Sequence, residues 1–163
     1  MNAGADLHRQ HDLAAPLQSA DCLHITLHEI AHFSDTLPLQ IVQSAAGAAT
    51  EVICPAFHIV FDHVRCFGGM RDKLALRCDA ASDKAVKELR DRLEVALIRQ
   101  GIRPKGSKTP HMTLTYRDSR IEEHPIPPLN WAVTRFDLIV SHRGIGHHQR
   151  IGEYRLPDPL GLV

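Results

Sequence analysis

Apolar and polar residues alternate in several stretches of the chain with the period of two that marks a half-buried strand. In Leu23-His24-Ile25-Thr26-Leu27-His28 this turns Leu23, Ile25 and Leu27 toward a core and His24, Thr26 and His28 the other way. Phe57, Ile59 and Phe61 alternate with His58, Val60 and Asp62, and Gly68-Gly69 ends that strand before a short one from Leu74 to Cys78. The run His111-Met112-Thr113-Leu114-Thr115-Tyr116 alternates again. Pro125, Pro127 and Pro128 predict a turn, followed by a strand from Trp131 to Val140 and a last one from Ile151 to Leu156.

The period changes to that of a helix in two places. After Pro38, a tolerated first-turn residue, Ile41, Val42, Ala45 and Ala49 form one stripe. Val86, Leu89, Leu93, Ala96 and Leu97 form another, with Asp79 or Ser82 to cap its start and Gly101 to end it. Ala5 to Leu13 carries only sparse apolar residues and predicts at most the end of a helix. Strands interspersed with two main helices define the α+β class.

A length of 163 residues suits one domain, or two small lobes sharing a core. Lys plus Arg and Asp plus Glu both total 19, which excludes a protein that wraps nucleic acid with a broad basic surface. An RNA substrate would have to be recognised locally. Cys22, Cys54, Cys66 and Cys78 are scattered without the close pairs of a zinc ribbon or redox motif, and read as buried thiols in a reducing compartment. No apolar run approaches the roughly 20 residues of a membrane span. The polar stretch Met1 to Leu13 lacks a signal-peptide core, so the expected location is cytoplasmic.

The chemistry is carried by a repeated tetrapeptide, His24-Ile25-Thr26-Leu27 and His111-Met112-Thr113-Leu114. A period of two sets each His and its Thr on one face, about 7 Å apart along the strand, while Ile25 and Met112 point inward. Attack of water on a cyclic phosphodiester needs a base to take a proton and an acid to protonate the departing oxygen. Imidazole titrates near neutrality, so a neutral and a protonated His can divide those tasks without a metal. A neighbouring hydroxyl can donate a hydrogen bond to a non-bridging phosphate oxygen, where transition-state charge collects.

These paired motifs resemble those of the two-histidine (2H) phosphoesterase superfamily, specifically its bacterial 2′-5′ RNA ligase, or RNA 2′,3′-cyclic phosphodiesterase, branch. Leu23 to Ile30 and Thr109 to Leu114 resemble the two motif strands. Phe57 to Phe61 with Cys66-Phe67-Gly68-Gly69 resembles the middle segment, and Trp131, Phe136 to Ser141 and Tyr154-Arg155-Leu156 resemble the closing strands. The resemblance implies that residues 1–163 form a single bilobal α+β domain with pseudo-twofold symmetry, antiparallel sheets flanking a central groove and helices outside. It implies opening of a 2′,3′-cyclic phosphate to a 2′-phosphate, with RNA ends or cyclic nucleotides as substrate and reversible 2′-5′ joining of RNA ends as a related activity. His24 would then be the acid that protonates the leaving O3′ and His111 the base that activates water. Thr26 and Thr113 would hold the phosphate. Tyr116 and Arg117 follow the second motif closely, where the family often carries a phosphate-binding Arg, and Phe67 is a candidate to stack on a base.

One departure stands out. Family members usually open with an Arg-Leu-Phe-Phe-Ala-like strand and a full helix ahead of the first motif. This chain reads as starting after that strand, which would remove an aromatic wall of the groove and leave an unpaired strand edge in the first lobe. A second chain, forming a homodimer, or a local rearrangement is expected to cover that edge.

Other features point elsewhere. His28-Glu29-Ile30-Ala31-His32 matches the His-Glu-x-x-His signature of zinc metallopeptidases, which requires a helix to bring both imidazoles to one metal. Here it begins in a strand-like alternation and leaves the second His-x-Thr-Leu unexplained. His142, His147 and His148 lie in a Gly-rich stretch with Arg143 and Arg150, read as a solvated loop between strands or, alternatively, a metal site. Arg99, Arg103, Lys105 and Lys108 precede the second motif and either steer an RNA end toward it or simply complement a helix end. The competing functions are therefore a zinc hydrolase and a catalytically silent RNA- or nucleotide-binding module of the same fold.

Overall fold

A computed structural model describes residues 17–67, 72–106, 109–117, 121–142 and 147–158. Among them a 3-10 turn, Ala20–Cys22, precedes helix α1 (Leu39–Thr50), strands β1 (Phe57–Phe67) and β2 (Asp72–Cys78), helix α2 (Ala80–Arg99), and strands β3 (His111–Arg117), β4 (His124–Val133), β5 (Arg135–His142) and β6 (His147–Arg155). The strands form two antiparallel sheets, one ordered β3-β2-β1-β4 and the other pairing β5 with β6.

The start of α2 follows from its capping residues. The Asp79 carboxylate accepts a bond from the Ser82 backbone N–H at 2.7 Å, and the buried Ser82 hydroxyl accepts one from the Val60 N–H at 2.8 Å. Helix and sheet are thus stitched together where they meet. All five residues of the expected α2 stripe are buried. Val86 joins Ile59, Phe61, Val64, Leu74, Leu76, Met112 and Leu114 in the main core, while Leu93, Ala96 and Leu97 pack on Ala45 and Ala48 of α1. In α1, Ile41 faces solvent and Ala48 takes the inward place, because the small Ala45–Ala48 ridge lets the helices approach closely. Helix α2 ends at Gly101, whose φ of +78° lies in the left-handed region that glycine occupies without strain.

Two one-residue bulges reset which side chains face the core. Phe61 pairs with Cys78 but His63 with Arg77, so Asp62 is extra in β1. Burial accordingly passes from Ile59 and Phe61 to Val64, and His63, Arg65 and Phe67 move to the opposite face. In β3, Thr115 pairs with Leu74 and Thr113 with Ala75, leaving Leu114 as the extra residue. Thr115 is buried and Tyr116 turns outward.

Three expectations need correction. Pro125, Pro127 and Pro128 lie within β4 rather than in a turn, which is possible because β4 is a sheet edge and its register with β1 slips between Leu129 and Pro125. The stretch Trp131 to Val140 is not one strand: it breaks at Thr134, whose carbonyl accepts from the Leu156 N–H, and the two parts belong to different sheets. Finally, β6 begins at His147, so His142, His147 and His148 sit in paired strands and not in a solvated loop. The hairpin ladder continues to the His142–His147 pair, and these two rings stack at 5.6 Å. Cys22, Cys54 and Cys78 are buried and Cys66 half-buried. Ala5 to Leu13, Gly68-Gly69, Lys108 and Arg143 lie outside the described residues.

Candidate functional site

The first motif is held as an extended segment by isolated contacts instead of a continuous ladder. Ile25 bridges Met112 in antiparallel sense, and Glu29 and Lys105 exchange backbone hydrogen bonds. Leu27 packs against all three core clusters, which anchors the segment from below. The Ile25–Met112 bridge turns both side chains into the main core, where Met112 is 8% exposed. Stepping one residue each way sets His24 opposite Thr113 and Thr26 opposite His111, all on the other face. The two histidines are then diagonal neighbours, with Cα atoms about 7 Å apart on standard antiparallel spacing.

Each imidazole is tied in the same way. His24 Nδ1 is 2.7 Å from the Cys22 carbonyl and His111 Nδ1 is 2.9 Å from the Thr109 carbonyl. A carbonyl only accepts, so each Nδ1 carries the hydrogen and each Nε2 is left for proton transfer or for a substrate oxygen. Two Nε2 atoms on diagonal positions can reach one phosphoryl group through hydrogen bonds of about 2.8 Å.

The surroundings of the two rings differ. The bulge in β1 brings Phe67 to this face, where its ring lies 4.7 Å from that of His111 at 31°, over the small, fully buried Ala75. Arg65 covers Phe67 at 5.2 Å, and Arg65 and Arg77 both approach Glu123, at 3.5 and 2.6 Å. The bulge in β3 places the half-exposed Tyr116 on the same face, with Lys73 Nζ 5.8 Å from its ring centroid. Arg117 ends β3 opposite Asp72, and its side chain lies outside the described residues. The structure therefore brings His24, Thr26, His111, Thr113, Phe67 and Tyr116 to one face.

On the far side of the first motif stands His148, whose ring meets that of His24 edge to face at 4.7 Å. Burial, then the charge of His24, then that of His147, hold the His148 imidazole below its ordinary pKa. Sequence reasoning missed this contact because the Gly-rich stretch around it reads as a loop. A signal was present in the alternating polar residues His148 and Arg150, which share the open face of β6 through their pairing with Ser141 and Ile139. Reasoning also missed Arg65, which the β1 bulge turns to this face, and Arg77, which the β2–β3 register sets opposite His111.

The zinc reading fails on local structure. Residues 28–33 are not helical, and His28 instead donates its Nε2–H to the Arg90 carbonyl at 3.0 Å. The His32 and Glu29 side chains pair on the surface at 3.4 Å. Two of the cysteines are poor nucleophiles as well. Burial pushes the Cys54 thiol up and that of Cys78 to about 11, so both are protonated at neutral pH. Of the basic run, Arg99 closes the last turn of α2 and Lys105 makes the bridge to Glu29. A shallow depression of about 370 Å³ between Glu51 and Arg99 lies on the outer helical side, away from both motifs. Among the described residues no helix is long and apolar enough to cross a membrane.

Two antiparallel sheets, helices packed behind them and paired His-x-Thr motifs at the seam define the 2H phosphoesterase class. The family model of the 2′-5′ RNA ligase superfamily matches residues 8–145, and the chain belongs to that superfamily. No curated protein matches it in sequence. Among solved structures, a phosphoesterase superposes with a TM-score of 0.69 at 21% identity, over 95% of this chain and 90% of that one. LigT of E. coli in complex with 3′-AMP gives 0.68 at 22%, over 94% and 89%. The PDE domain of MHV ns2 gives 0.51 at 20%, over 80% and 84%. At these identities the likeness is one of fold.

Proposed function

We propose that this protein opens RNA 2′,3′-cyclic phosphates to 2′-phosphates by acid–base catalysis between His24 and His111, with 2′-5′ joining of RNA ends as a related activity. The observation that carries the reading is the pair of imidazoles on neighbouring antiparallel segments, each tied through Nδ1 to the carbonyl two residues before it. His111 Nε2 takes a proton from water, the water oxygen bonds to phosphorus, the P–O3′ bond breaks, and His24 gives its proton to O3′. One water is consumed and the two histidines exchange protonation states, which are restored through solvent. Thr26 and Thr113 hold the non-bridging oxygens, and an equatorial charge developing there is met by their hydroxyls. Phe67 and Tyr116 line the nucleoside side, and Arg117 is the candidate cation for the phosphate. E. coli LigT has been crystallised with 3′-AMP and with ATP, which supports a nucleotide as the ligand class here. Both proton transfers are supplied by side chains, so the scheme asks for no metal. We further take residues 1–163 as one bilobal unit acting in the cytoplasm.

The test is hydrolysis of 2′,3′-cyclic nucleotides by the wild type, His24→Ala, His111→Ala and the double variant, each with and without chelator. Each single variant is expected to lose about 10²–10⁴-fold in kcat, with little further loss in the double variant and no effect of chelator. Binding of nucleotide without turnover by the wild type would instead favour a silent binding module.

A further inference from the structure

We propose that His148 is a positioning residue for His24, an imidazole from β6 that holds the first-motif ring in its working orientation. The proposal rests on the reading of His24 as a member of the acid–base pair. A single Nδ1–H bond to the Cys22 carbonyl leaves the His24 ring free to swing about that bond, and His24 is exposed. The second motif shows what completes such a mount. His111 has the equivalent backbone bond and, in addition, a ring from a strand outside its motif, Phe67 at 4.7 Å. His24 has His148 in that place, at the same centroid distance but edge to face at 77°. Each working imidazole is therefore held by one carbonyl and one ring, although the two rings come from different sheets.

The environment of His148 fits a support that does not itself carry charge. It is half-buried on the open face of β6 opposite Ser141. Arg150, two residues along that face, is engaged by Glu153 at 2.6 Å and Asp137 at 3.7 Å. His142 and His147 stack together on the opposite face. Among the described residues, the titratable groups facing β6 from the first-motif side are His24 and, on the 3-10 turn, Asp21. Burial first and the His24 charge second disfavour a proton on His148. A neutral ring can steady an imidazolium without repelling it, and its edge-to-face packing is worth on the order of a weak aromatic contact.

The experiment compares His148→Ala with His148→Phe in cyclic-nucleotide hydrolysis, with melting curves for both. We expect His148→Ala to lower kcat about 10–30-fold with KM within about threefold, since a modest misplacement of a reacting group costs on this scale. His148→Phe, which restores a ring but cannot titrate, is expected to recover to within about threefold of the wild type. Wild-type turnover in His148→Ala, or a Phe variant as slow as the Ala variant, would overturn the proposal, the second outcome pointing to proton exchange through His148. An NMR titration reads the contact without activity. The His148 midpoint should rise toward its ordinary value in His24→Ala, and an unchanged midpoint would overturn the contact. If the wild type hydrolyses no cyclic phosphate, the proposed function falls while the titration still decides whether His148 and His24 are coupled.

Discussion

At the scale of single residues, Gly101 shows a cost set by backbone alone. A Cβ there would meet nothing within 4 Å, yet φ is +78°. Gly101→Ala is therefore expected to destabilise by about 1–2 kcal/mol, the penalty of a left-handed L-residue, without touching kcat. Urea unfolding read beside cyclic-nucleotide turnover checks both halves of that statement. Residue identities made the two motif histidines legible as candidates, because two imidazoles, each followed by a Thr at strand spacing, suit an acid–base pair at an anion. His148 was not legible in the same way. Its significance lies in a contact with His24 across 124 positions of chain (148 minus 24), which no local pattern encodes.

At the scale of elements, the first motif is the weak member. It has bridges at Ile25 and Glu29 in place of a ladder, and it packs closely against Gly106. A Cβ on Gly106 would lie 2.6 Å from an Arg90 guanidinium nitrogen, 3.1 Å from His28 Nδ1 and 3.1 Å from the Leu27 carbonyl. Arg90 can give way at its tip, but the Leu27 carbonyl belongs to the motif backbone. Gly106→Ala is expected to destabilise by about 1–3 kcal/mol through overpacking and to lower kcat by displacing His24 and Thr26, while leaving the β1–β4 sheet intact by circular dichroism. An unchanged kcat would show that the motif does not depend on this packing. The elements themselves were largely readable, since the α2 stripe and the alternations at Phe57 and His111 all appear as foreseen. The bulges were not. Strict alternation would have turned Phe67 and Tyr116 into the core, and only an extra residue in each strand delivers them to the face that holds His111. The prolines of β4 misled for a related reason, because whether a strand is an edge depends on partners distant in sequence.

At the scale of the whole molecule, equal numbers of acidic and basic residues leave pH dependence to a few displaced groups. His148 has its folded pKa below the roughly 6.5 of an unfolded histidine, so the unfolded chain binds more protons between those values. Stability should thus fall as pH drops below about 6.5, and His148→Phe should flatten that part of the curve. Asp79 acts in a separate window. Bonds from Ser82 hold its carboxyl below the usual value, so its stabilisation is complete above about pH 4 and is lost as pH falls through the folded pKa. Melting temperature against pH, with Asp79→Ala alongside, resolves the two contributions.

The proposed chemistry requires two imidazoles from distant parts of the chain to meet at one phosphorus atom. The direct measurement is a crystal structure of the protein with a bound nucleoside 2′-phosphate. We predict one phosphate between His24 and His111, with each Nε2 about 2.8 Å from one of its oxygens and the Thr26 and Thr113 hydroxyls on the others. A phosphate that touches only one of the two rings, or that binds on another face altogether, would contradict it.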